Sequence, residues 1–428
     1  MQPPMPAPTE TPSQKPITNE RSAFAALKHR DFRLLWLGQI VSVTGSQMQL
    51  VAINWHVYLL TRSAFALGMV GLFRGLPIVV CSLLGGVVAD VMDRRRLMIA
   101  TQTVMLLSAA LLTTTTLLGS QSVWPIYMLT GLSSAAVAFD IPARQALMPS
   151  LVPPKDFANA VSLGLIVFNV ATIVGPAIAG LLLASYGPAV IYAANACSFL
   201  AVILALGAMR TSGRVTEETE MATKVSFAAL REGLSFVRRT PIIVQTMTLD
   251  FAATFFASAS ALLPIFAEEV LRVGARGLGL LAAAPAVGSV VTALVIARMG
   301  GFKNQGKLVI GSVAIFGMAT TAFGLSRVFW FSLLMLAVTG AADTVSTVLR
   351  QTIRQLSTPN HLRGRMTSIN MVFFMGGPQL GEVEAGVLAA LVGAPFSVVV
   401  GGIGSMASAV IAYFKAKRLL NYEGEQRR

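Results

Sequence analysis

Two long stretches of this chain contain no charged residue. Residues 97–139 and 157–209 lack Asp, Glu, Lys and Arg, although about a quarter of the residues in a soluble globular protein are charged. A helix needs about 20 apolar residues to cross the hydrocarbon core of a bilayer, so each stretch is long enough for two crossings and a turn. The chain as a whole is 54% hydrophobic and 12% charged. These features predict an all-α polytopic membrane protein.

The apolar segments predict twelve transmembrane spans, six on each side of a long polar interval at 210–241. The second part of this interval mixes apolar and charged residues, which predicts a short amphipathic helix lying on the membrane. We expect one bundle within 31–209 and a second within 242–418. The terminal segments 1–30 and 419–428 are predicted to be cytoplasmic tails, and the first, polar and rich in proline, is predicted to be disordered. The spans are predicted at 34–60, 66–90, 97–119, 123–141, 159–185, 188–209, 243–267, 276–298, 307–325, 328–348, 366–392 and 395–415.

The basic residues predict the orientation of these spans. If both termini are cytoplasmic, all but five of the 33 Lys and Arg residues fall on the cytoplasmic side, as the positive-inside rule requires. Four of the exceptions lie in outer turns, and the fifth, Arg74, lies within a span. Because anionic lipid headgroups account for the basic excess, nucleic-acid binding is not expected.

The two halves of the chain resemble each other. Each contains a segment that begins with Thr-Gly and ends with Arg-Gln, TGLSSAAVAFDIPARQ at 130–145 and TGAADTVSTVLRQ at 339–351. As a result, Arg144 and Arg350 are 206 positions apart. Parallel six-span repeats place a central pathway between the halves, near the middle of the membrane.

The charged turn between spans two and three carries a family resemblance. The segment GGVVADVMDRRR, residues 85–96, resembles the cytoplasmic motif of the major facilitator superfamily, in which a Gly precedes D-R-x-G-R-R. Val91 and Asp93 depart from that motif, and DRRR is typical of the drug–proton antiporter branch that holds the enterobactin exporter and macrolide efflux proteins. The matching positions are Gly86, Asp90, Arg94 and Arg95. Further segments that resemble this branch lie at 32–48, 139–152, 249–267 and 375–386.

The resemblance implies the fold of that superfamily, with twelve helices in two pseudo-symmetric six-helix bundles. It implies a monomer in the inner membrane of a bacterium. It also implies a cytoplasmic gate, in which Asp90 pairs with Arg144 and caps span eleven to hold an outward-open state. Asp140, four residues before Arg144, belongs to the same predicted gate. The alternative is that DRRR only sets the topology of the turn.

Span five contains a predicted bend. Its segment NVATIVGPAIAG, residues 169–180, includes a proline that removes a helical hydrogen bond and glycines that permit close packing. The segment incompletely resembles the antiporter motif of the superfamily, and an ordinary proline kink is the alternative. The residues concerned are Asn169, Gly175, Pro176 and Gly180.

Ionisable residues inside predicted spans are costly and are usually functional. Since a membrane-buried carboxylate can be neutralised by a proton, we predict proton coupling by Asp250, Asp343, Glu382 and Glu384. Static pairing is the alternative, because Asp343 and Arg350 lie on one helical face.

The buried cation Arg74 is assigned to an outer gate or a substrate site. We expect it to pair with Glu382 or Glu384 of span eleven. The alternative is that its side chain extends to the outer headgroups.

These features predict a secondary active transporter that exports a small amphipathic compound, such as a drug or siderophore, in exchange for protons. The alternatives are a substrate/proton symporter, a lipid or lysophospholipid flippase of the same fold, and a non-transporting receptor. The expected partners are a small-molecule substrate, protons and membrane lipids. The chain contains neither a G-x-x-x-x-G-K-[ST] phosphate loop nor an H-E-x-x-H segment, so no enzyme activity, metal site or cofactor is predicted.

Overall fold

The computed structural model describes residues 24–211, 213, 227–299, 302–359 and 362–423, and these residues are almost entirely helical. The predicted disordered tail, apart from its last residues, lies outside this described part of the chain. The same holds for most of the polar half of the central loop and for the last five residues of the C-terminal tail.

The first half of the described chain is built from long helices joined by short turns. Asp93 starts one of them as an N-cap, accepting a hydrogen bond from the backbone N–H of Arg96 at 3.0 Å. Arg62 ends another in a left-handed conformation, with φ 49°. These helices are α1 (Arg30–Thr61), α2 (Ala64–Val91), α3 (Arg94–Leu117), α4 (Trp124–Leu147), α5 (Phe157–Tyr186) and α6 (Pro188–Ala208).

The second half repeats this pattern after a shorter connecting helix. A short helical turn at Leu263–Ile265 and a π-helical turn at Phe266–Val270 separate its first two long helices. The helices are α7 (Phe227–Arg239), α8 (Pro241–Phe256), α9 (Gly274–Arg298), α10 (Gln305–Leu325), α11 (Phe329–Leu356), α12 (Arg363–Val392), α13 (Ala394–Lys415) and α14 (Lys417–Leu420).

Ten helical segments among the described residues are long and apolar enough to cross a membrane. Helices α1 and α12, with 32 and 30 residues, are not among these ten. Both are long enough to span a bilayer, but they carry polar side chains along their length. Helix α1 contains Gln39, Gln49 and His56, and helix α12 contains Glu382 and Glu384. The chain is therefore a multi-pass helical membrane protein.

Helices α8 and α11 differ from the predicted spans. The span predicted at 243–267 lies within a segment long and apolar enough to cross a membrane, Pro241–Val270, but its helix is irregular, because α8 ends at Phe256 and short turns follow. The span predicted to end at residue 348 continues as α11 to Leu356. Arg354 was therefore wrongly assigned to a cytoplasmic turn, since it lies within this helix and is buried. Arg350, predicted to share a helical face with Asp343, is buried in the same helix.

Helix α7 occupies the second part of the central loop, where an amphipathic helix was predicted. Val237 is buried and packs in one cluster with Ile243 and Met247 of α8 and Met366 of α12, whereas Arg238 is exposed. The apolar side of α7 therefore rests partly on the helical core.

The buried side chains show where the two halves of the chain meet. One large apolar cluster contains residues of both halves, among them Tyr58, Leu67, Phe266 and Ala389. These residues lie toward the end of the molecule that carries the turn at 62–63, which we call the joined end. At the opposite end, two other clusters each contain described residues of only one half. The described halves thus share a core at the joined end and have separate cores at the opposite end.

Candidate functional site

The halves approach each other most closely where glycines meet. Helix α2 packs against α12, and α5 packs against α9. A Cβ atom on Gly68 would lie 2.9 Å from the Cα of Gly386, and one on Gly180 would lie 2.8 Å from the Cα of Gly279. Real Cβ atoms do not approach other atoms so closely, so both crossings depend on glycine.

A buried ion pair lies beside the first crossing. The Nη2 atom of Arg74 on α2 donates to the Oε1 atom of Glu382 on α12 at 3.1 Å, and the Oγ of Ser260 donates to the same oxygen at 3.2 Å. Gly71 gives Glu382 room, because a Cβ at this glycine would meet the Glu382 Cβ at 2.7 Å. Arg74 lies ten residues into α2 and Glu382 ten residues before the end of α12, about 15 Å from the joined end. The expected contact is present, and it is made by Glu382 and not by Glu384.

A second polar contact joins the halves nearer the end. The hydroxyl of Tyr58 on α1 donates to Glu269 Oε1 at 2.7 Å, and Arg62 Nη1 donates to the Tyr58 oxygen at 2.9 Å. Tyr58 is fully buried, whereas Glu269 lies in the π-helical turn and is exposed. This contact is not among those expected from the sequence. An aromatic residue at a span end is ordinarily assigned to the membrane interface, and no local pattern connects it to a carboxylate 211 residues away.

A charge cluster lies toward the opposite end of the second half. Asp250 on α8 is 2.7 Å from Arg350 Nη2 and 3.7 Å from Arg354 Nη1, both on α11. Asp343 lies 3.8 Å from the same Nη2 atom of Arg350, and Arg354 also donates to Asn370 Oδ1 on α12 at 2.6 Å. We call these five residues the Arg350 cluster. Arg354 is not among the site residues predicted from the sequence, although its position four residues after Arg350 in a continuing helix would have indicated it.

The members of the Arg350 cluster differ in exposure. The side chains of Arg350, Arg354 and Asp250 are 1%, 4% and 4% exposed, whereas that of Asp343 is 47% exposed. The Oδ2 atom of Asp250 is buried without a hydrogen-bond partner among the described groups. Asp250 is thus fixed between two guanidinium groups, and Asp343 is the most exposed of the four charged members.

A corresponding cluster lies in the first half. Arg144 Nη2 is 3.2 Å from Asp140 Oδ2 on the same helix, and its Nη1 atom donates to Gln39 Oε1 on α1. Asp140 also accepts hydrogen bonds from Thr101 and Gln102 of α3, at 3.1 Å and 3.0 Å. These five residues form the Arg144 cluster. Pro142 in the intervening turn does not prevent the Asp140–Arg144 pair from forming.

Gly86 and Asp90 of the predicted cytoplasmic gate lie outside the residues whose side chains the structure describes. The predicted pairing of Asp90 with Arg144 therefore stays a prediction. In the conformation described, Arg144 contacts Asp140 and Gln39, and its side chain remains 27% exposed.

The arginines of the DRRR turn bind carbonyl groups at the ends of neighbouring helices. Arg94 Nη1 donates to the carbonyl of Ala146 in the last turn of α4 at 3.0 Å, and Arg95 Nη2 donates to the carbonyl of Gly207 in the last turn of α6 at 2.9 Å. The last carbonyls of a helix have no partner within it and carry partial negative charge. The two arginines therefore hold the start of α3 against the ends of α4 and α6, in addition to any effect on the topology of the chain in the membrane.

The predicted bend residues of span five lie on different surfaces of α5. A Cβ on Gly175 would lie 2.7 Å from the Gln47 Cβ of α1, whereas Gly180 faces Gly279 of α9. The carbonyl of Pro176 lies at the same crossing, 2.5 Å from a Cβ built on Gly279. Asn169 is exposed. Pro176 and Gly180 thus belong to the contact between the halves, Gly175 packs within the first half, and Asn169 belongs to neither.

No group of three or more His, Cys, Asp or Glu residues that could hold a metal ion occurs in the described part of the chain.

Helical spans, two halves sharing a core at one end, and charges buried between helices together define a membrane transporter of the major facilitator superfamily. A family model described as "Transmembrane secretion effector" matches residues 21–426. The chain belongs to this family. The expectation of a transporter that is not an enzyme is thereby confirmed.

Two curated relatives are similar to the chain over most of its length. The multidrug efflux pump Tap of Mycolicibacterium fortuitum is 26% identical, with 83% of this chain and 88% of that protein covered. The enterobactin exporter EntS of Citrobacter koseri is 25% identical, with 88% of this chain and 89% of that protein covered.

Solved structures share the fold at low sequence identity. A bacterial homologue of the human lysosomal transporter Spinster, in an inward-facing and unoccupied conformation, has a TM-score of 0.71 and 15% identity, covering 93% of this chain and 98% of that chain. A bacterial homologue of the iron transporter ferroportin in an inward-facing state has a TM-score of 0.65 and 15% identity, covering 92% of this chain and 99% of that chain.

Proposed function

We propose that this protein is a proton-coupled exporter of a small amphipathic compound that works by alternating access in a bacterial inner membrane. Relatives named as a multidrug efflux pump and an enterobactin exporter support export. The observation that carries the proposal is the buried pair of Arg74 and Glu382, which joins the two halves at the joined end.

The proposed architecture has twelve transmembrane helices, because α1 and α12 are as long as the ten apolar segments and pack among them. The two halves form six-helix bundles within 31–209 and 242–418, with the central loop 210–241 and both tails in the cytoplasm and the protein a monomer. In this orientation the joined end faces outward. The described conformation is then closed to the outside, since the shared core lies there.

The Arg74–Glu382 pair is the proposed outer gate. A lone guanidinium at this depth is costly, and an ionised carboxylate compensates for it. When Glu382 takes a proton, the pair loses its charge attraction, and the two halves can separate at the joined end. Proton entry from the outside would therefore favour outward opening.

The proposed cytoplasmic site of proton exchange is Asp343. Asp343 and Asp250 both contact Arg350, but Asp343 lies farther from Arg350 and is far more exposed than Asp250. A proton can reach Asp343 without breaking the buried contact of Asp250. Asp250 is proposed as the fixed counter-ion of the Arg350 cluster, and Glu384 as an acid beside the gate that does not form it.

A charge exchange tests the outer gate. Arg74→Glu should abolish transport, because it places two carboxylates in contact within the membrane. Arg74→Glu combined with Glu382→Arg should recover transport, whereas Arg74→Glu combined with Glu384→Arg should not. Full transport by Arg74→Ala, or equal recovery by both double variants, would contradict the gate.

Export and coupling are tested in everted membrane vesicles with a panel of amphipathic compounds and an internal pH dye. Uptake into such vesicles should require a pH gradient, and adding the transported compound should dissipate that gradient. Uptake without proton movement would show that the protein is a transporter whose substrate flux is not coupled to protons. Movement of labelled lysophospholipid in place of soluble compounds would identify a flippase.

A further inference from the structure

A cavity of about 330 Å³ opens between α10 and α13 near the opposite end of the second half. Its α10 side is lined by Lys307, Ile310, Gly311 and Ala314, and Tyr413 lies on its α13 side. Apart from Lys307 and the Tyr413 hydroxyl these groups are apolar, and the volume is at the lower end of the range for ligand pockets.

The lining residues follow the axis of α10. Residues three or four apart lie on one face of a helix, so Lys307, Gly311 and Ala314 form a continuous stripe. This stripe extends about 10 Å along the helix from Lys307 to Ala314. The cavity is therefore an elongated apolar groove with an ammonium group at its mouth.

The groove faces away from the contacts between the halves. Helices α10 and α13 pack mainly on each other and on second-half helices. The nearby side chains of Met318, Ile411 and Phe414 are exposed. In a membrane protein, exposed apolar side chains on such helices are in contact with lipid.

Basic residues outnumber acidic ones around the mouth of the groove. Residues 302–325 and 394–422 contain no Asp or Glu, and the acid nearest to them in the sequence, Glu423, directly follows the second segment. Tyr413 and Leu420 both line the groove. The basic residues between them bring further positive charge to its mouth. The basic residues of these two segments are Lys303, Lys307, Lys415, Lys417 and Arg418.

We propose that this groove is a binding site for an anionic glycerophospholipid, with one acyl chain between α10 and α13 and the phosphate at Lys307. The apolar stripe complements an acyl chain, and basic pockets at the ends of membrane helices bind anionic headgroups. The hydroxyl of Tyr413 is a further hydrogen-bond donor at the groove. The site is independent of the direction and driving force of transport.

Gly311 allows a specific test. A Cβ at this position would meet no atom within 4 Å, so Gly311→Leu should fill the groove without displacing the protein. Gly207 on α6 also has open space around it, so Gly207→Leu is the matched control. The full chain is purified in detergent, and bound phosphatidylglycerol is measured by native mass spectrometry and by lipid-induced thermal stabilisation.

Wild type and Gly207→Leu should bind phosphatidylglycerol in preference to phosphatidylcholine with the same acyl chains, and Gly311→Leu should lose this binding. Lys307→Gln should bind phosphatidylglycerol about fivefold more weakly, the change expected for one basic residue beside anionic lipid. Unchanged binding by Gly311→Leu, or equal binding of the two lipids by wild type, would overturn the proposal. So would Gly311→Leu losing the transported compound while retaining the lipid. Thermal unfolding of each variant without added lipid confirms that it is folded.

Discussion

The Arg144 and Arg350 clusters occupy corresponding places in the two halves but are built differently. Arg144 pairs with Asp140, four residues earlier on the same helix. The residue four before Arg350 is Ser346, which accepts a hydrogen bond from Arg350 Nη1 at 2.6 Å. The nearest carboxylate in the second half is Asp250 on the neighbouring helix α8, at 2.7 Å, whereas Asp343, on the same helix as Arg350, lies at 3.8 Å.

This difference changes what each arginine does for the fold. The Asp140–Arg144 pair is formed within one helix, and Arg144 is 27% exposed. The Arg350 cluster connects α8, α11 and α12, and Arg350 is 1% exposed. The Arg350 cluster therefore joins its helices through buried charges, whereas Arg144 is joined to α1 only through the neutral side chain of Gln39 and can exchange partners at a lower cost. That freedom is what the predicted gate with Asp90 requires.

The largest effect is expected for Asp250→Asn. Asparagine keeps the volume but removes the charge, so Arg350 and Arg354 are left buried with too little compensation. Breaking a buried ion pair in this way costs about 3–5 kcal/mol. Thermal unfolding in detergent should therefore begin at a clearly lower temperature than in wild type. An unchanged transition would mean that Asp250 is not the fixed counter-ion of this cluster.

Asp343→Asn should separate stability from coupling within the same cluster. Asp343 is half exposed and lies 3.8 Å from Arg350, so its loss should leave the unfolding temperature close to that of wild type. Proton release driven by substrate, measured with a pH dye in vesicles, should disappear. Thr347→Val is the control for lost hydrogen bonds, because Thr347 donates to Asp343 at 3.4 Å and accepts from Arg350 at 3.1 Å but cannot exchange a proton. Normal proton movement in Asp343→Asn would move the coupling role to another acid.

Asp140→Asn should have a smaller effect than Asp250→Asn. Arg144 keeps its bond to Gln39 and its access to solvent. The new amide oxygen can still accept from Thr101 and Gln102. We expect a loss of about 1 kcal/mol, the size of one hydrogen bond or partly exposed ion pair. A loss as large as that of Asp250→Asn would show that the two clusters are equivalent after all.

The sequence alone was sufficient for the class of fold, because charge-free stretches of this length are compatible only with membrane helices. It also located Arg144 and Arg350, through the repeat of 206 residues. It could not assign Arg354, because positive charge near a span end is ordinarily placed in a cytoplasmic turn. Whether Asp250 serves as a proton carrier or a counter-ion depends on the rotation of α8 against α11, which apolar periodicity does not fix.

The contact between Arg74 and Glu382 was predictable for a different reason. A guanidinium group at the depth of Arg74 in the membrane is energetically costly without a partner. Few carboxylates lie at the same depth in the other half, so the candidate partners were Glu382 and Glu384. The contact between Tyr58 and Glu269 offered no comparable constraint, since neither residue lies deep in a predicted span. Buried charge is thus more informative in a membrane protein than hydrogen bonding near the surface.

The smallest effect is expected for Gln39→Glu, and this variant tests the comparison most directly. The Oε1 atom of Gln39 already accepts from Arg144, and its Nε2 atom is buried without a hydrogen-bond partner among the described residues. Replacing that nitrogen by oxygen loses no hydrogen bond and gives Arg144 a carboxylate on a neighbouring helix, as Asp250 does for Arg350. The new carboxylate gains an attraction to Arg144, while its burial and its repulsion from Asp140 oppose that gain. The single variant should therefore change the free energy of unfolding by less than about 1 kcal/mol.

Combined with Asp140→Asn, however, Gln39→Glu transfers the carboxylate from α4 to α1 and gives the first half the arrangement of the second. This double variant should regain the unfolding temperature that Asp140→Asn alone loses. It should also transport more slowly than wild type, because an ion pair would replace the hydrogen bond between Arg144 and the neutral Gln39, and Arg144 could then change partners less readily. A double variant no more stable than Asp140→Asn, or one that transports at the wild-type rate, would mean that the position of the carboxylate does not distinguish the two clusters.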